Sequence, residues 1–228
     1  FGHWLAKNHL VWGANDTLEK VNLMMESMAF HLTEASIKLA EEFGPCEKRT
    51  RYHDGWLPMD DSPIEGALTK DWDSLRARAK VSGIRNATLM ALMPSETSSQ
   101  LSNETNGIEP PRSLITIKGS KEGVMPQLVP EYQKLNYLYE TLWNVTAANY
   151  LPTVAALQRF IDQAMSANTS YDPTKTGGKI SLSVLATDLI RAYSLGVKTL
   201  YYNNVRDSDG EDLTDEPGSG CDSGACSI

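Results

Sequence analysis

The longest amphipathic pattern of the chain runs from Asp16 to Gly44. Bulky apolar residues recur there at alternating steps of three and four, which places them on one stripe over about seven helical turns. Asp16 followed by Glu19 resembles a capping box, and Gly44-Pro45 is typical of a helix end. We predict one long helix with a core-facing stripe formed by Leu18, Val21, Met25, Met28, Leu32, Ala35 and Leu39.

The remaining body shows both strand and helix patterns. Ala87 to Met93 is a continuous apolar run, typical of a strand buried on both faces. Further strands are predicted at 114–118 and 197–205, a loop at 46–66, and helices near 71–82, 130–144, 150–168 and 181–195. We therefore predict a mixed α/β body over residues 1–205.

Residues 206–220 differ in composition from this body. They carry six carboxylates and three glycines, with Leu213 as the only bulky apolar side chain. Such a segment buries too little apolar surface to offset its ordering entropy. We therefore predict that 206–228 is a flexible acidic tail, which places Cys221 and Cys226 on a mobile arm.

The net charge and the number of cysteines limit which partners the protein can bind and which cellular compartment it occupies. A formal charge of −8 argues against non-specific binding to nucleic acid or anionic membranes, and no apolar run approaches the length of a membrane helix. The three cysteines form no disulfide framework, which indicates a reducing, cytosolic setting. The chain begins with Phe and lacks a secretory signal, so we expect a fragment, a processed product or one part of a split protein.

Two segments of the body are candidates for chemistry. Pro94 to Ser98 (PSETS, here the phosphate segment) joins a predicted strand to a helix start, where free N–H groups and the helix dipole favour a phosphate. An ordinary capped helix with Ser95 as N-cap is the alternative. Tyr201 and Tyr202 (the tyrosine pair) would face opposite ways on a regular strand, as one core ring and one surface ring. A bent backbone would instead align both phenols on one path for electrons.

The cysteine pair of the tail allows several interpretations. The four-residue spacing between Cys221 and Cys226 is looser than that of zinc knuckles, and no histidine lies nearby. A dithiol that exchanges with another disulfide needs only access and flexibility. We therefore favour a carrier of reducing equivalents over a metal clip or a stray pair. Cys46 follows the predicted helix end and is interpreted as structural.

Three motifs together resemble one family: ALMPSETSSQLSNETNGIEPPR (91–112), VKTLYYNN (197–204) and GCDSGAC (220–226). Their combination and order are similar to the carboxy-terminal third of the large, catalytic subunit of class I ribonucleoside-diphosphate reductases. The resemblance covers nearly the whole chain. It implies the carboxy-terminal part of a ten-stranded α/β barrel with a flexible redox tail, and reduction of ribonucleoside diphosphates by radical chemistry.

The resemblance also implies a role for each candidate residue. Pro94, Ser95, Glu96, Thr97 and Ser98 would hold the substrate's phosphates through backbone amides. Tyr202 would receive the radical from a small subunit and Tyr201 would pass it to a cysteine. Cys221 and Cys226 would re-reduce an active-site disulfide and then be reduced by thioredoxin or glutaredoxin.

The implied cofactors and partners lie outside this chain. The tyrosyl radical and the dinuclear metal centre would belong to the small subunit, and this chain would bind no cofactor. The helix near 181–195 would help to form the groove for that subunit's carboxy-terminal peptide.

Several motifs of the family are missing from this chain, and they determine which partner chains we expect. The family's radical cysteine lies in an Asn-x-Cys-x-Glu motif, which this chain lacks, and Cys46 has no asparagine two positions before it. The active-site cysteine pair and the effector sites are also absent. We expect a companion chain to supply the remainder, because the body begins just ahead of a complete helix. Alternatives are a truncated chain, a non-catalytic module that docks the small subunit, or a free-standing thiol carrier or metal-binding tail.

Overall fold

The computed structural model describes residues 1–120 and 123–206, so Cys221 and Cys226 lie outside the described residues. The helices are α1 (Gly2–Lys7), α2 (Asn15–Phe43), α3 (Trp72–Ser82), α4 (Glu96–Leu101), α5 (Tyr132–Leu135), α6 (Ala147–Gln158) and α7 (Leu182–Ser194). Short 3-10 helices lie at Arg51–Asp54, Pro58–Asp61, Asn136–Leu138 and Pro173–Thr176. The strands are β1 (Ile115–Ser120), β2 (Gly123–Leu128), β3 (Thr169–Tyr171) and β4 (Asn203–Val205).

The long helix α2 is confirmed, but its capping box and half of its apolar stripe are wrong. Ala14 is the N-cap and makes no side-chain cap bond. Val21 and Met25 are buried, whereas Met28 and Leu32 are 48% and 39% exposed. Apolar residues spaced strictly three and four apart repeat every 3.5 residues, whereas a straight α-helix has 3.6 residues per turn. Such a row of side chains therefore turns around the helix by about 20° per heptad. The stripe therefore rotates away from the core. The buried face continues instead through Ala29, Thr33, Ser36, Ile37 and Ala40.

The main core lies between α2, α3 and α6. Phe160 and Ile161, just after α6, are fully buried in the same cluster. Glu26 of α2 is also fully buried, and its carboxylate accepts hydrogen bonds from the N–H and hydroxyl of Thr69, the N–H of Lys70 and the indole of Trp72. This carboxylate fixes the loop before α3 to the long helix.

Two helix predictions are wrong in length. The stretch 130–144 holds only α5 and a 3-10 turn, because contacts outside the helical hydrogen-bond pattern take its polar groups. The Tyr139 hydroxyl donates to Pro130 O, and Glu140 accepts the Trp12 N–H. Helix α6 ends at Gln158, not near 168, where the Gln158 amide donates to the carbonyls of Ile161 and Gln163 and turns the chain. The helices predicted at 71–82 and 181–195 are confirmed as α3 and α7.

Three extended segments run parallel to one another and carry the candidate site. β3 pairs with β4, and Leu92 forms an isolated parallel bridge with Met165. The strand predicted at 87–93 is therefore wrong apart from this bridge, and Met93 is 68% exposed instead of buried. The strand predicted at 197–205 is reduced to its last three residues. β1 and β2 form a separate antiparallel hairpin.

The described part of the chain is thus mixed α/β, as predicted, but contains no closed barrel. None of the helices over 1–120 and 123–206 is both long enough and apolar enough to cross a membrane.

Candidate functional site

Residues 162–168 (the linking segment) lie between the two segments singled out from the sequence. On one side, the Asp162 carboxylate accepts the N–H groups of Leu89 (2.7 Å) and Met90 (2.9 Å). On the other side, the carbonyl of Ala167 accepts the N–H of Tyr201 (2.8 Å). The linking segment therefore holds the approach to the phosphate segment and the tyrosine pair side by side.

The same Asp162 side chain is anchored in the core. Its carboxylate also accepts the hydroxyl of buried Tyr52 (3.1 Å). Burial raises the pKa of Tyr52, and the adjacent negative charge of Asp162 raises it further, so this phenol stays protonated and acts as a donor. The Lys198 ammonium donates to the carbonyls of Ile161 and Asp162 (2.8 and 2.7 Å).

The phosphate segment forms a tight turn into helix α4. Ser95 is the N-cap by position but has φ +59 and makes no side-chain cap bond, so the predicted capping by its hydroxyl is wrong. The N–H groups in the first turn of an α-helix have no partner within the helix, and here they belong to Glu96, Thr97 and Ser98. All three residues are exposed or half-buried at the surface. The turn therefore presents N–H donors to solvent, the arrangement that an anion requires.

Gly107 supports this turn from behind. It has φ +41, and a Cβ at this position would lie 2.9 Å from Pro94 O and 3.2 Å from Met93 O. Only glycine combines this backbone conformation with so close an approach. The carbonyls of Met93 and Pro94 therefore pack against Gly107, at the beginning of the turn.

The tyrosine pair lies immediately before β4, and its two rings are in contact. The ring centroids are 4.1 Å apart with an interplanar angle of 55°, and the two residues are 61% and 58% exposed. The alternative of one core ring and one surface ring is therefore wrong. The backbone bends as the aligned arrangement requires, and the two phenols form one continuous aromatic surface.

Both candidate segments lie at the same edge of the three parallel segments. Neighbouring parallel segments are about 5 Å apart, so the two outer ones lie about 10 Å apart across the linking segment. The phosphate segment begins two residues after the Leu92 bridge, and Tyr201 lies opposite Ala167. The phosphate segment therefore follows the carboxyl end of its extended segment, the edge at which parallel α/β sheets bind ligands, and the tyrosine pair lies level with it, immediately before β4.

Glu109 and Asn168 connect the two halves of the site and were missed in the sequence. The Asn168 amide donates to the Glu109 carboxylate, and its oxygen accepts the Tyr202 N–H (2.8 Å). Burial raises the pKa of Glu109; the Asn168 bond and the Arg112 charge oppose that rise, and the negative charge of Glu96 adds to it. No spacing motif marks Asn168, Glu109 or Asp162.

Of the three cysteines, the structure describes Cys46. Cys46 is half-buried, and its thiol donates to Lys48 O (3.1 Å), consistent with a structural role. Cys221 and Cys226 lie outside the described residues. Within 1–120 and 123–206, no three His, Cys, Asp or Glu side chains cluster as metal ligands would.

Comparison with known proteins identifies the family to which the sequence is similar. Residues 1–203 match the family model described as "Ribonucleotide reductase, barrel domain". The chain is 45% identical to the ribonucleoside-diphosphate reductase subunit alpha of Haemophilus influenzae, with 100% of this chain and 31% of the relative aligned. It is 44% identical to the corresponding subunit 1 alpha of Escherichia coli (100% and 32%) and 40% identical to that of Enterobacteria phage T4 (93% and 29%). The chain thus spans about a third of the length of these relatives.

Proposed function

This chain belongs to the ribonucleotide reductase barrel-domain family, and from that premise we propose that it forms the carboxy-terminal part of a reductase catalytic subunit. The three parallel segments would be neighbouring strands of the family's ten-stranded α/β barrel. The proposed reaction removes the 2′-hydroxyl of a ribonucleoside diphosphate as water, while a dithiol becomes a disulfide. The observation that carries the proposal is the aligned tyrosine pair, 4.1 Å between ring centroids, beside an anion-binding turn.

The proposed role of the tyrosine pair is radical transfer. Tyr202 gives one electron to the oxidant of the small subunit and its phenolic proton to a local acceptor. The Tyr202 radical then takes a hydrogen atom from Tyr201, and the Tyr201 radical takes one from a cysteine thiol of the companion chain. Ring contact at 4.1 Å supports the middle step, because it places the two phenols close enough for direct exchange.

The proposed role of the phosphate segment is to hold the diphosphate. The free N–H groups of Glu96, Thr97 and Ser98 would donate to phosphate oxygens, with Ser95 in its left-handed conformation setting the turn. Glu96 and Glu109 bring negative charge close to this turn. We therefore place the phosphate at the backbone amides and not at these two side chains.

Two exposed apolar surfaces support the proposed partners. On α7, Leu189, Ile190 and Tyr193 are 61–84% exposed, as expected for the wall of a groove that takes the carboxy-terminal peptide of the small subunit. On α2, Met28, Leu32 and Leu39 form an uncovered apolar face. We propose that a companion chain, which would carry the radical cysteine, covers this face. The metal centre and the stable radical would reside in the small subunit.

The proposed role of Cys221 and Cys226 is to reduce the active-site disulfide of the companion chain and then to be reduced by thioredoxin or glutaredoxin. With Cys221→Ser or Cys226→Ser, we expect pre-reduced enzyme to complete one turnover but not the thioredoxin-driven turnovers that follow. Loss of the first turnover as well would contradict a recycling role.

The experiment that tests the radical path is Tyr202→Phe in enzyme reconstituted from this chain, the companion chain and the small subunit. We expect deoxynucleotide formation to be lost with assembly unchanged, because the phenolic proton is removed while the ring remains. Tyr137→Phe is the matched control, since Tyr137 is also exposed (75%) but lies far along the chain from the site. Near-normal turnover with Tyr202→Phe would refute the radical path.

A second candidate is a non-catalytic module that docks the small subunit, favoured by the exposed apolar face of α7. Purification of the native complex discriminates between the two. A partner chain with an Asn-x-Cys-x-Glu motif supports the enzyme, and a complex without one supports the module.

A further inference from the structure

The hydrogen bonds beside the tyrosine pair reveal one extra residue in its strand. Tyr201 N–H donates to Ala167 O, and Thr169 N–H donates to Tyr202 O. In an uninterrupted parallel ladder, the second acceptor would be the carbonyl of Tyr201. Residues 168 and 169 therefore lie opposite residues 201, 202 and 203. The strand that holds the tyrosine pair has one extra residue at this point, which is a β-bulge.

The bulge explains why neighbouring rings lie on the same side. Successive side chains of a regular strand point to opposite faces, and one inserted residue breaks that alternation. β4 resumes regular pairing directly afterwards, with Thr169 beside Asn203. The ring contact of 4.1 Å therefore depends on the bulge staying at Tyr201–Tyr202.

Asn168 is the residue that holds the bulge in this place. The N–H of Tyr202 donates to the Asn168 side-chain oxygen at 2.8 Å. The amide nitrogen of Asn168 donates to the Glu109 carboxylate, which fixes the direction of the oxygen. A side chain thus replaces the missing ladder bond, and a second side chain orients the first.

We propose that Asn168, oriented by Glu109, is a positioning residue that keeps the tyrosine pair aligned by satisfying the extra N–H of the bulge. This inference rests on the proposed radical-transfer function. Without the Asn168 oxygen, the register that pairs Thr169 N–H with Tyr201 O becomes competitive. In that register the two rings point to opposite faces of the strand, and transfer between them is interrupted.

The test uses the reconstituted enzyme of this chain, companion chain and small subunit with three variants. Asn168→Ala removes the acceptor. Asn168→Asp places a second carboxylate against Glu109. The double variant Asn168→Asp with Glu109→Gln restores both hydrogen bonds with the polarity of one reversed, since the amide introduced at position 109 then donates to the carboxylate introduced at position 168. Asn15→Ala, at an exposed position at the start of α2, is the control.

We expect Asn168→Ala and Asn168→Asp to lower kcat by about 100-fold, the scale of a small misplacement of reacting groups. The KM for the nucleoside diphosphate and the affinity for the small subunit should stay within about twofold of the wild type, because neither depends on the ring alignment. The double variant should recover most of the lost kcat, whereas Asn15→Ala should behave as wild type.

Three results would overturn the proposal: wild-type kcat in Asn168→Ala, loss of substrate and small-subunit binding in parallel with kcat, or a double variant no better than Asn168→Asp. Tyr202→Phe in the same assay separates the two levels of inference. If that variant turns over, the radical path itself is wrong. If it is inactive while Asn168→Ala is active, only the positioning role is wrong.

Discussion

The Asp162 carboxylate gives the sharpest structural prediction, because this one side chain binds two successive backbone amides ahead of the phosphate segment. The change is Asp162→Asn, which keeps the shape but removes the charge and one acceptor. In the wild type, the carboxylate accepts two backbone N–H groups at 2.7 and 2.9 Å and the Tyr52 hydroxyl at 3.1 Å. In the variant, the amide NH₂ must face at least one of these donors.

The magnitude follows from those three bonds. A hydrogen bond to a charged group contributes about 1.5–3 kcal/mol net. The variant loses one bond outright and the charge on the others, and neighbouring bonds are not additive. We expect the local opening free energy of 89–90 to fall by about 2–4 kcal/mol, which corresponds to about thirtyfold to a thousandfold faster amide exchange.

The assay is hydrogen exchange with mass spectrometry on the reconstituted enzyme, read at the amides of Leu89 and Met90. The control is Asp73→Asn, an exposed carboxylate in the first turn of α3. We also expect a raised KM for the nucleoside diphosphate, because the phosphate segment loses its support. Unchanged exchange at these two amides in Asp162→Asn would refute the reasoning.

Three further predictions concern the core, the turn and the docking face. Burial raises the pKa of Glu26, but hydrogen bonds from Lys70, Thr69 and Trp72 outweigh burial and lower this pKa below its ordinary value. The stabilisation of the fold by the ionised Glu26 carboxylate is therefore present above about pH 4.5 and is lost as the pH falls. Glu26→Gln should therefore speed exchange of the Thr69 amide at about pH 7, and the difference from wild type should shrink on acidification; a constant difference would contradict this. Gly107→Ala should raise the substrate KM through its clash with the phosphate segment, unlike Gly177→Ala, which has φ +68 and nothing within 4 Å; equal KM values would show that the clash is irrelevant. Ile190→Asp should weaken binding of the small subunit at unchanged substrate KM, and unaltered affinity would exclude α7 from the docking face.

The long helices could be predicted from the sequence because their signals are local. Helices α2, α3 and α7 follow the 3.6-residue period and end near glycine. The buried face of α2 could not be predicted from its stripe alone, since it depends on which elements pack against the helix. The same limit applies at 130–144, where the bond of Tyr139 to Pro130 O and the bond of Glu140 to Trp12, 128 residues away, override helix propensity.

Only those parts of the candidate site that form a recognisable sequence motif could be predicted. The phosphate segment and the tyrosine pair stand out because their residue types are unusual in sequence. Asp162, Asn168 and Glu109 do not, because their importance lies in partners 34–110 residues away in the chain. The strand at 87–93 illustrates the converse case. Its apolar composition predicts burial on both faces, whereas the described residues cover only one side of it.

The bend at Tyr201–Tyr202 shows why the arrangement of the site needed a structure. Strand alternation favours one buried and one exposed ring, and a single inserted residue reverses that expectation. The insertion is visible only in which carbonyl accepts the Thr169 N–H. It therefore has no counterpart in the spacing of the sequence.

Deoxynucleotide formation in a defined mixture tests the central claim most directly. Purified companion chain and small subunit are incubated with a ribonucleoside diphosphate and a thioredoxin system, with and without this chain. The account predicts product only when this chain is present, together with a stable complex of the three proteins. Equal product without this chain, or a folded monomer that binds neither protein, would contradict it.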